Sequence, residues 1–215
     1  QQTPALKQSK TILILGAKAH LGNGQVIENS LISIKEGKIA TIGDATVMKP
    51  AKHYIMIEAN GKHVYPGFIA PNSTLGLVEV DAIKSSADER EIGDMNPHIR
   101  SIIAFTADSK VIETARPNGI LMAQITPRGG TISGTSSIVQ LDAWNWKDAV
   151  IKENDGIHLN FPPTMKRSGW WAEPGAMEAN KEYLKKTEEI SLFLDNSRAY
   201  IASSSEHNLI FQAMK

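Results

Sequence analysis

Cysteine is absent from this chain of 215 residues. Its absence excludes disulfide staples, thiolate metal sites and cysteine nucleophiles. An excess of charge of either sign is also missing: Lys+Arg and Asp+Glu each number 23, so the formal net charge is zero. That balance gives no electrostatic case for a nucleic-acid or anionic-membrane partner. No long hydrophobic run exists. A membrane-spanning helix needs about 20 consecutive apolar residues, and the longest candidate here, Ile12–Leu15, reads as the core of a strand. The six histidines, His20, His53, His63, His98, His158 and His207, form no H-x-H or H-x-x-x-H pair. No G-x-S-x-G elbow is present, and no Gly-Lys-Ser/Thr follows a glycine loop. The glycines around Gly16 and Gly22 lack dinucleotide-fingerprint spacing.

What is present reads as a globular α/β chain. The composition, 41% hydrophobic and 21% charged, is ordinary for a globular protein. Residues 1–10 are polar and aperiodic and are expected to be a disordered tail. An initial Gln without Met fits a processed, extracytoplasmic protein, with a periplasmic location expected. Thr11–Ala19, Ser30–Lys35 and Lys38–Ile42 alternate with period 2 and are separated by glycine. His53–Ile57 and Val64–Ile69 add further strands. Helices are expected over Ile99–Ala115, after Asn96-Pro97, and over Gly175–Leu194, where Glu182 and Lys186 have the spacing of an attractive pair. A weaker helix is expected over Ala199–Met214, and Ile120–Thr126 is the next strand.

Several segments together resemble the amidohydrolase superfamily, in its imidazolonepropionase-like branch. Thr11–Gly43 is similar to the small β domain that precedes the barrel. Ile57-Glu58-Ala59-Asn60-Gly61-Lys62-His63-Val64-Tyr65-Pro66-Gly67 is similar to the bridge into the first barrel strand, with Glu58 in place of the usual Asp. Pro117–Pro127 resembles the second barrel strand, and the Gly-rich stretch Arg128–Ser137 the loop after it. The resemblance covers most of residues 11–142. It implies a fold with a small N-terminal β-sandwich-like domain over 11–65, followed over 66–215 by the opening strands and helices of a (β/α)8 barrel. A whole barrel takes roughly 250 residues, so the expectation is that this chain holds only its first part. The remainder of the barrel or a homologous subunit is then the expected partner, since open parallel edges are an aggregation hazard. A smaller, self-contained α/β fold is the alternative.

The same resemblance marks a loss. In the superfamily Pro-Gly-Phe-Ile runs into Asp-x-His-x-His, whose histidines bind the catalytic metal. Here the run continues Ala70-Pro71-Asn72-Ser73-Thr74, with Asn72 and Thr74 at the histidine positions. Neutral amide and hydroxyl groups are poor zinc ligands. The expectation is therefore no metal or cofactor held by this chain, with zinc only through residues outside it. Asn72 and Thr74 would instead form a polar floor. Arg128, Gly129, Gly130, Ser133 and Thr135 complete the candidate substrate-binding set: glycines let backbone N–H groups approach an anion, and an arginine can clamp a carboxylate at two points. Each histidine reads as a surface or structural residue. Trp144, Trp146, Trp170 and Trp171 read as core, interface or lid. Two functions follow: an amidohydrolase-like hydrolase of non-peptide C–N bonds in a small-molecule amide or cyclic amide, or a non-catalytic homologue acting as a binding or assembly subunit.

Overall fold

The computed structural model describes residues 3–48, 54–203 and 207–215. His53 and Ser204–Ser205, included in the expected strand and helix, lie outside these. The chain divides into two compact units, Thr3–Phe68 and Ile69–Lys215.

In Thr3–Phe68, alternating apolar residues build one five-stranded sheet. β1 (Thr11–His20), β2 (Val26–Lys35) and β3 (Lys38–Asp44) form an antiparallel meander. β4 (Tyr54–Glu58) and β5 (His63–Val64) both run parallel to β1. They take successive stretches of it: β4 pairs with Thr11–Leu15 and β5 with Lys18–Ala19. The break lies at Gly16, where φ is +80° and an added Cβ would run into the Asn60 side chain. Register shifts on either side of Ala17 mark the irregularity. The Asn60-Gly61 turn docks there: Ala59 N donates to Leu15 O at 2.8 Å and Lys18 N to Lys62 O at 2.9 Å. Leu13, Ala17, Ala19 and Leu31 form the buried side. The segment before β1 has no regular structure, yet Gln8 ties it down, donating to Ile34 O at 2.6 Å and accepting from Gly37 N at 2.7 Å.

Ile69–Lys215 is built on a four-stranded sheet in the order β6 (Phe68–Ser73), β7 (Ile120–Ile125), β8 (Ile132–Gln140), β9 (Val150–Leu159). β7–β8 and β8–β9 are antiparallel, so residues 120–159 depart from the parallel strand–helix alternation expected after Pro66, while a helix does lie between β6 and β7. The stretch 128–137, expected as a loop, is a loop only to Thr131; from Ile132 it is the central strand, buried at nearly every position. Its Ser and Gly residues are small because both faces are covered. An added Cβ at Gly134 would meet Ile99 O at 2.6 Å. One edge of β8 carries β9. The other carries β7 along 137–140 and the extended segment 95–100 further back, through Asn96 N to Ile132 O at 2.9 Å and Thr135 N to Ile99 O at 2.7 Å.

That use of the 95–100 backbone explains why no helix spans Ile99–Ala115. A 3-10 turn occupies Ser101–Ala104, and α1 (Lys110–Ala115) starts afresh where the Ser109 side chain accepts from Val111 N. Ile102, Phe105 and Ile112 from these pieces pack with Ala123, Ile125, Val139 and Leu141 of the sheet region. α2 (Trp146–Ala149), capped by Asn145, leads into β9.

The expected helix over Gly175–Leu194 is also corrected. β10 (Met165–Trp170) and β11 (Glu173–Ala179) form a hairpin, and α3 runs Tyr183–Ser203. The chain reverses at Trp171–Ala172, with Gly169, at φ +82°, paired to Pro174 across the hairpin, and helix formation waits until Asn180 has accepted from Glu182 N and Tyr183 N. A short α4 (Leu209–Gln212) packs Phe211 on Phe193 and Tyr200 of α3. No helix among the described residues is long and apolar enough to cross a membrane.

Candidate functional site

The polar residues at the end of β6 converge with those of β7 and β9. Asn72 sits in the left-handed region at φ +48°, a conformation that asparagine tolerates better than most side-chain-bearing residues. Turned this way, it presents two oxygens to one cation. Arg128 Nη1 donates to Asn72 Oδ1 at 2.5 Å and Nη2 to Asn72 O at 2.6 Å. The Asn72 N–H in turn donates to Gln124 Oε1 at 3.1 Å. Gln124 Nε2 donates to Asp155 Oδ2 at 2.7 Å, and Lys152 Nζ meets Asp155 Oδ1 at 2.8 Å. Thr126 N to Ser73 O, at 2.8 Å, ties β6 to the end of β7.

This network has a definite charge pattern. The Lys152 and Gln124 hydrogen bonds hold the Asp155 carboxyl below the usual carboxylate range. His158, near the end of β9, is pushed below the ordinary histidine value, first by burial and then by the Arg128 cation, with Asp155 opposing. A fixed guanidinium, a neutral imidazole and an ionised carboxylate are therefore grouped here at neutral pH. Arg128 spends two donor groups on Asn72 and keeps others of its five N–H donors for an incoming anion.

The other expected site residues divide. Thr74 begins the turn after β6, its carbonyl accepting from Leu77 N at 2.9 Å, and does not join the network. Gly129 and Gly130, at φ +83° and +58°, turn their carbonyls toward the Asn160 amide, which donates to them at 3.3 and 2.9 Å and to Ser133 Oγ at 2.8 Å. Ser133 is buried and donates to Gly129 O at 2.6 Å. Thr135 donates to Pro97 O at 2.9 Å and lines a separate cavity of about 510 Å³ with His98, Arg100 and Asn154. The structure thus unites Asn72 with Arg128, places Gly129, Gly130 and Ser133 around Asn160, and sets Thr135 apart.

Gln124, Lys152, Asp155 and His158 were not legible as site residues. They meet only through strand pairing, and none carries a spacing signal. Asp155 and His158 on one strand were the nearest thing to one.

At the end of β6 both Asn72 oxygens face the Arg128 guanidinium, and the Thr74 carbonyl accepts from Leu77 N in the next turn. Among the described residues, no three His, Cys, Asp or Glu side chains come together to hold an ion.

No known family model and no curated protein sequence matches the chain. Among solved structures, an amidohydrolase from Thermotoga maritima MSB8 superposes with a TM-score of 0.76 at 16% identity, over 94% of this chain and 54% of that one. The chain shares its fold with that part of the Thermotoga protein. It spans about half the length of the Thermotoga protein. A molinate hydrolase (TM-score 0.29, 24% identity, 34% of this chain and 16% of that one) also matches. So does a prolidase complexed with N-methylphosphonate-L-proline (TM-score 0.34, 20% identity, 53% of this chain and 25% of that one). The last two overlap too weakly to bear on the fold.

Proposed function

We propose that this chain is part of an amidohydrolase-like hydrolase acting on a non-peptide C–N bond of a small amide or cyclic amide, and that the end of β6 serves it as a cationic anchor and not as a metal platform. The observation that carries this reading is the two-point grip of Arg128 on Asn72. It puts a permanent positive charge where the resemblance calls for metal ligands. A guanidinium so placed holds a substrate carboxylate or a polarised carbonyl oxygen through its remaining donors. The neutral His158 alongside is able to accept a proton. Any zinc would be held by residues outside this chain. The imidazolonepropionase-like branch remains part of this proposal.

The partner in this reading is the remainder of the barrel or a homologous subunit. β6 and β9 are the two edges of their sheet, and Phe68 and Ile69 on β6 are 65% and 56% exposed. An uncovered apolar edge of this kind invites pairing.

A second reading, a non-catalytic binding or assembly subunit, is favoured by the same engaged Asn72, because the usual metal position is taken. One experiment separates the two. The protein is assayed against N-acyl amino acids and cyclic amides, with equilibrium binding measured in parallel, for the native chain and for Arg128→Ala. Hydrolysis of anionic amides that Arg128→Ala abolishes supports the first reading. Binding that needs Arg128 without any turnover supports the second. If Arg128→Ala leaves both binding and turnover unchanged, Arg128 is no anchor and both readings fail.

A further inference from the structure

The unit Thr3–Phe68 carries a side-chain cluster that no linear motif announces. Ala17 and Ala19 of β1 are buried, so Lys18 and His20 project from the opposite side of the strand. β5 lies parallel to β1 in the register Lys18↔His63 and Ala19↔Val64. This brings His20 Nε2 to 3.0 Å from His63 Nδ1, across 43 residues of sequence. Tyr65 adds a third donor atom, its Oη lying 3.2 Å from the same His63 Nδ1. The Tyr65 ring stacks on His20 with centroids 4.3 Å apart and planes 11° from parallel.

An imidazole nitrogen offers either one N–H or one lone pair. His63 Nδ1 has two partners within hydrogen-bond distance, so one of the two contacts goes without a well-formed bond. A metal ion resolves the conflict by taking both lone pairs. Two imidazole nitrogens at about 2.0–2.1 Å from one ion, subtending about 90–110°, stand roughly 2.9–3.4 Å apart. The observed 3.0 Å lies within that bite, and with the ring centroids 5.2 Å apart the nitrogens face each other, so a small turn of each ring converges them on one ion.

We propose that His20 and His63, with Tyr65 beside them, form a surface chelate for a divalent transition-metal ion that favours imidazole: copper, nickel or zinc. Neutral imidazole suits these ions, whereas calcium and magnesium require oxygen ligands. The platform is held in place on both strands, β1 by its buried alanines and β5 by the Lys18 N to Lys62 O hydrogen bond of 2.9 Å. The Lys18 ammonium is neutralised by Glu28 at 2.9 Å and does not repel an incoming cation. Tyr65 is 59% exposed and leaves the outer coordination positions to water or to a ligand from another molecule.

The test uses the whole chain titrated with Cu²⁺, Ni²⁺ and Zn²⁺ salts by calorimetry, with electron paramagnetic resonance on the copper form. One ion per chain is expected, with hyperfine structure from a pair of nitrogens. His20→Gln and His63→Gln should each weaken binding by about tenfold or more, and each should leave one nitrogen in the spectrum. Tyr65→Phe, which keeps the ring stack, should weaken it less. Substoichiometric binding by the native chain, or unchanged affinity in both glutamine variants, overturns the proposal. A measurement without variants guards against misfolding: Ni²⁺ added to the native protein should broaden the ring resonances of His20 and His63 first. Prior broadening of any other histidine overturns the assignment.

Discussion

Replacing Arg128 tests the site most informatively, because charge and geometry can be removed separately. Arg128→Gln deletes both the two-point grip on Asn72 and the cation that depresses His158. A hydrogen bond to a charged group contributes about 1.5–3 kcal/mol when desolvated. Asn72 is exposed, so water replaces much of what is lost. A net cost of about 1–2 kcal/mol for the pair follows. At roughly 2–4 °C per kcal/mol for a chain of this size, the melting temperature should fall by about 2–8 °C. The second readout is the His158 ring resonance followed against pH by NMR. In Arg128→Gln, His158 should titrate higher than in the native protein. It should stay below the ordinary histidine value, because burial is the larger cause of its depression. Arg128→Lys keeps the charge and loses the fork. It should show most of the melting loss and little change in His158. If His158 titrates identically in native protein and Arg128→Gln, the cation is not where the reasoning needs it.

Four further outcomes follow from the same contacts. Ile125→Ala, at a fully buried position of the core, should cost about 2–5 kcal/mol in a denaturant melt. Gly16→Ala should destabilise Thr3–Phe68 through its positive φ and its collision with Asn60, lowering the denaturation midpoint of that unit, whereas Gly24→Ala, with open space around it, should suffer only the strain of its φ. His158 is depressed in the folded protein, so the unfolded chain takes up its proton first: stability should decline as pH falls below about 6.5 and level off once the folded form is protonated too. His158→Gln should remove that decline from a pH series of melts. Asn72→His with Thr74→His should gain little zinc affinity while Arg128 remains, and more when Arg128→Ala is added, as zinc titration of the two variants will show.

How much of this was readable beforehand depends on where the information lies. The strands of the first unit were legible because TILILGAKAH and its neighbours alternate with period 2 and are punctuated by glycine. The entry into β6 was legible from Tyr65-Pro66-Gly67. β8 was not: Ile132-Ser133-Gly134-Thr135-Ser136-Ser137 reads as a turn, since residues small enough to be covered on both faces are also those that favour loops. The stretch 175–179 was misread because Glu and Met suit a helix, while the turn at Trp171–Ala172 folds it back on β10 as a strand. Of the site, Asn72 and Arg128 were legible through the family pattern. Their mutual contact, and the links through Gln124 to Asp155, were not, since they depend on which strands become neighbours. The His20–His63 pair escaped for the same reason.

The central claim is that a guanidinium, and not a metal ion, occupies the end of β6. Diffraction from crystals of the protein grown with zinc, recorded on both sides of the zinc absorption edge, addresses it directly and tells one zinc position from another. The account predicts no anomalous density at Asn72 or Thr74, and Arg128 Nη1 and Nη2 on the two Asn72 oxygens. A zinc peak coordinated by Asn72 or Thr74, with Arg128 turned away, would contradict it.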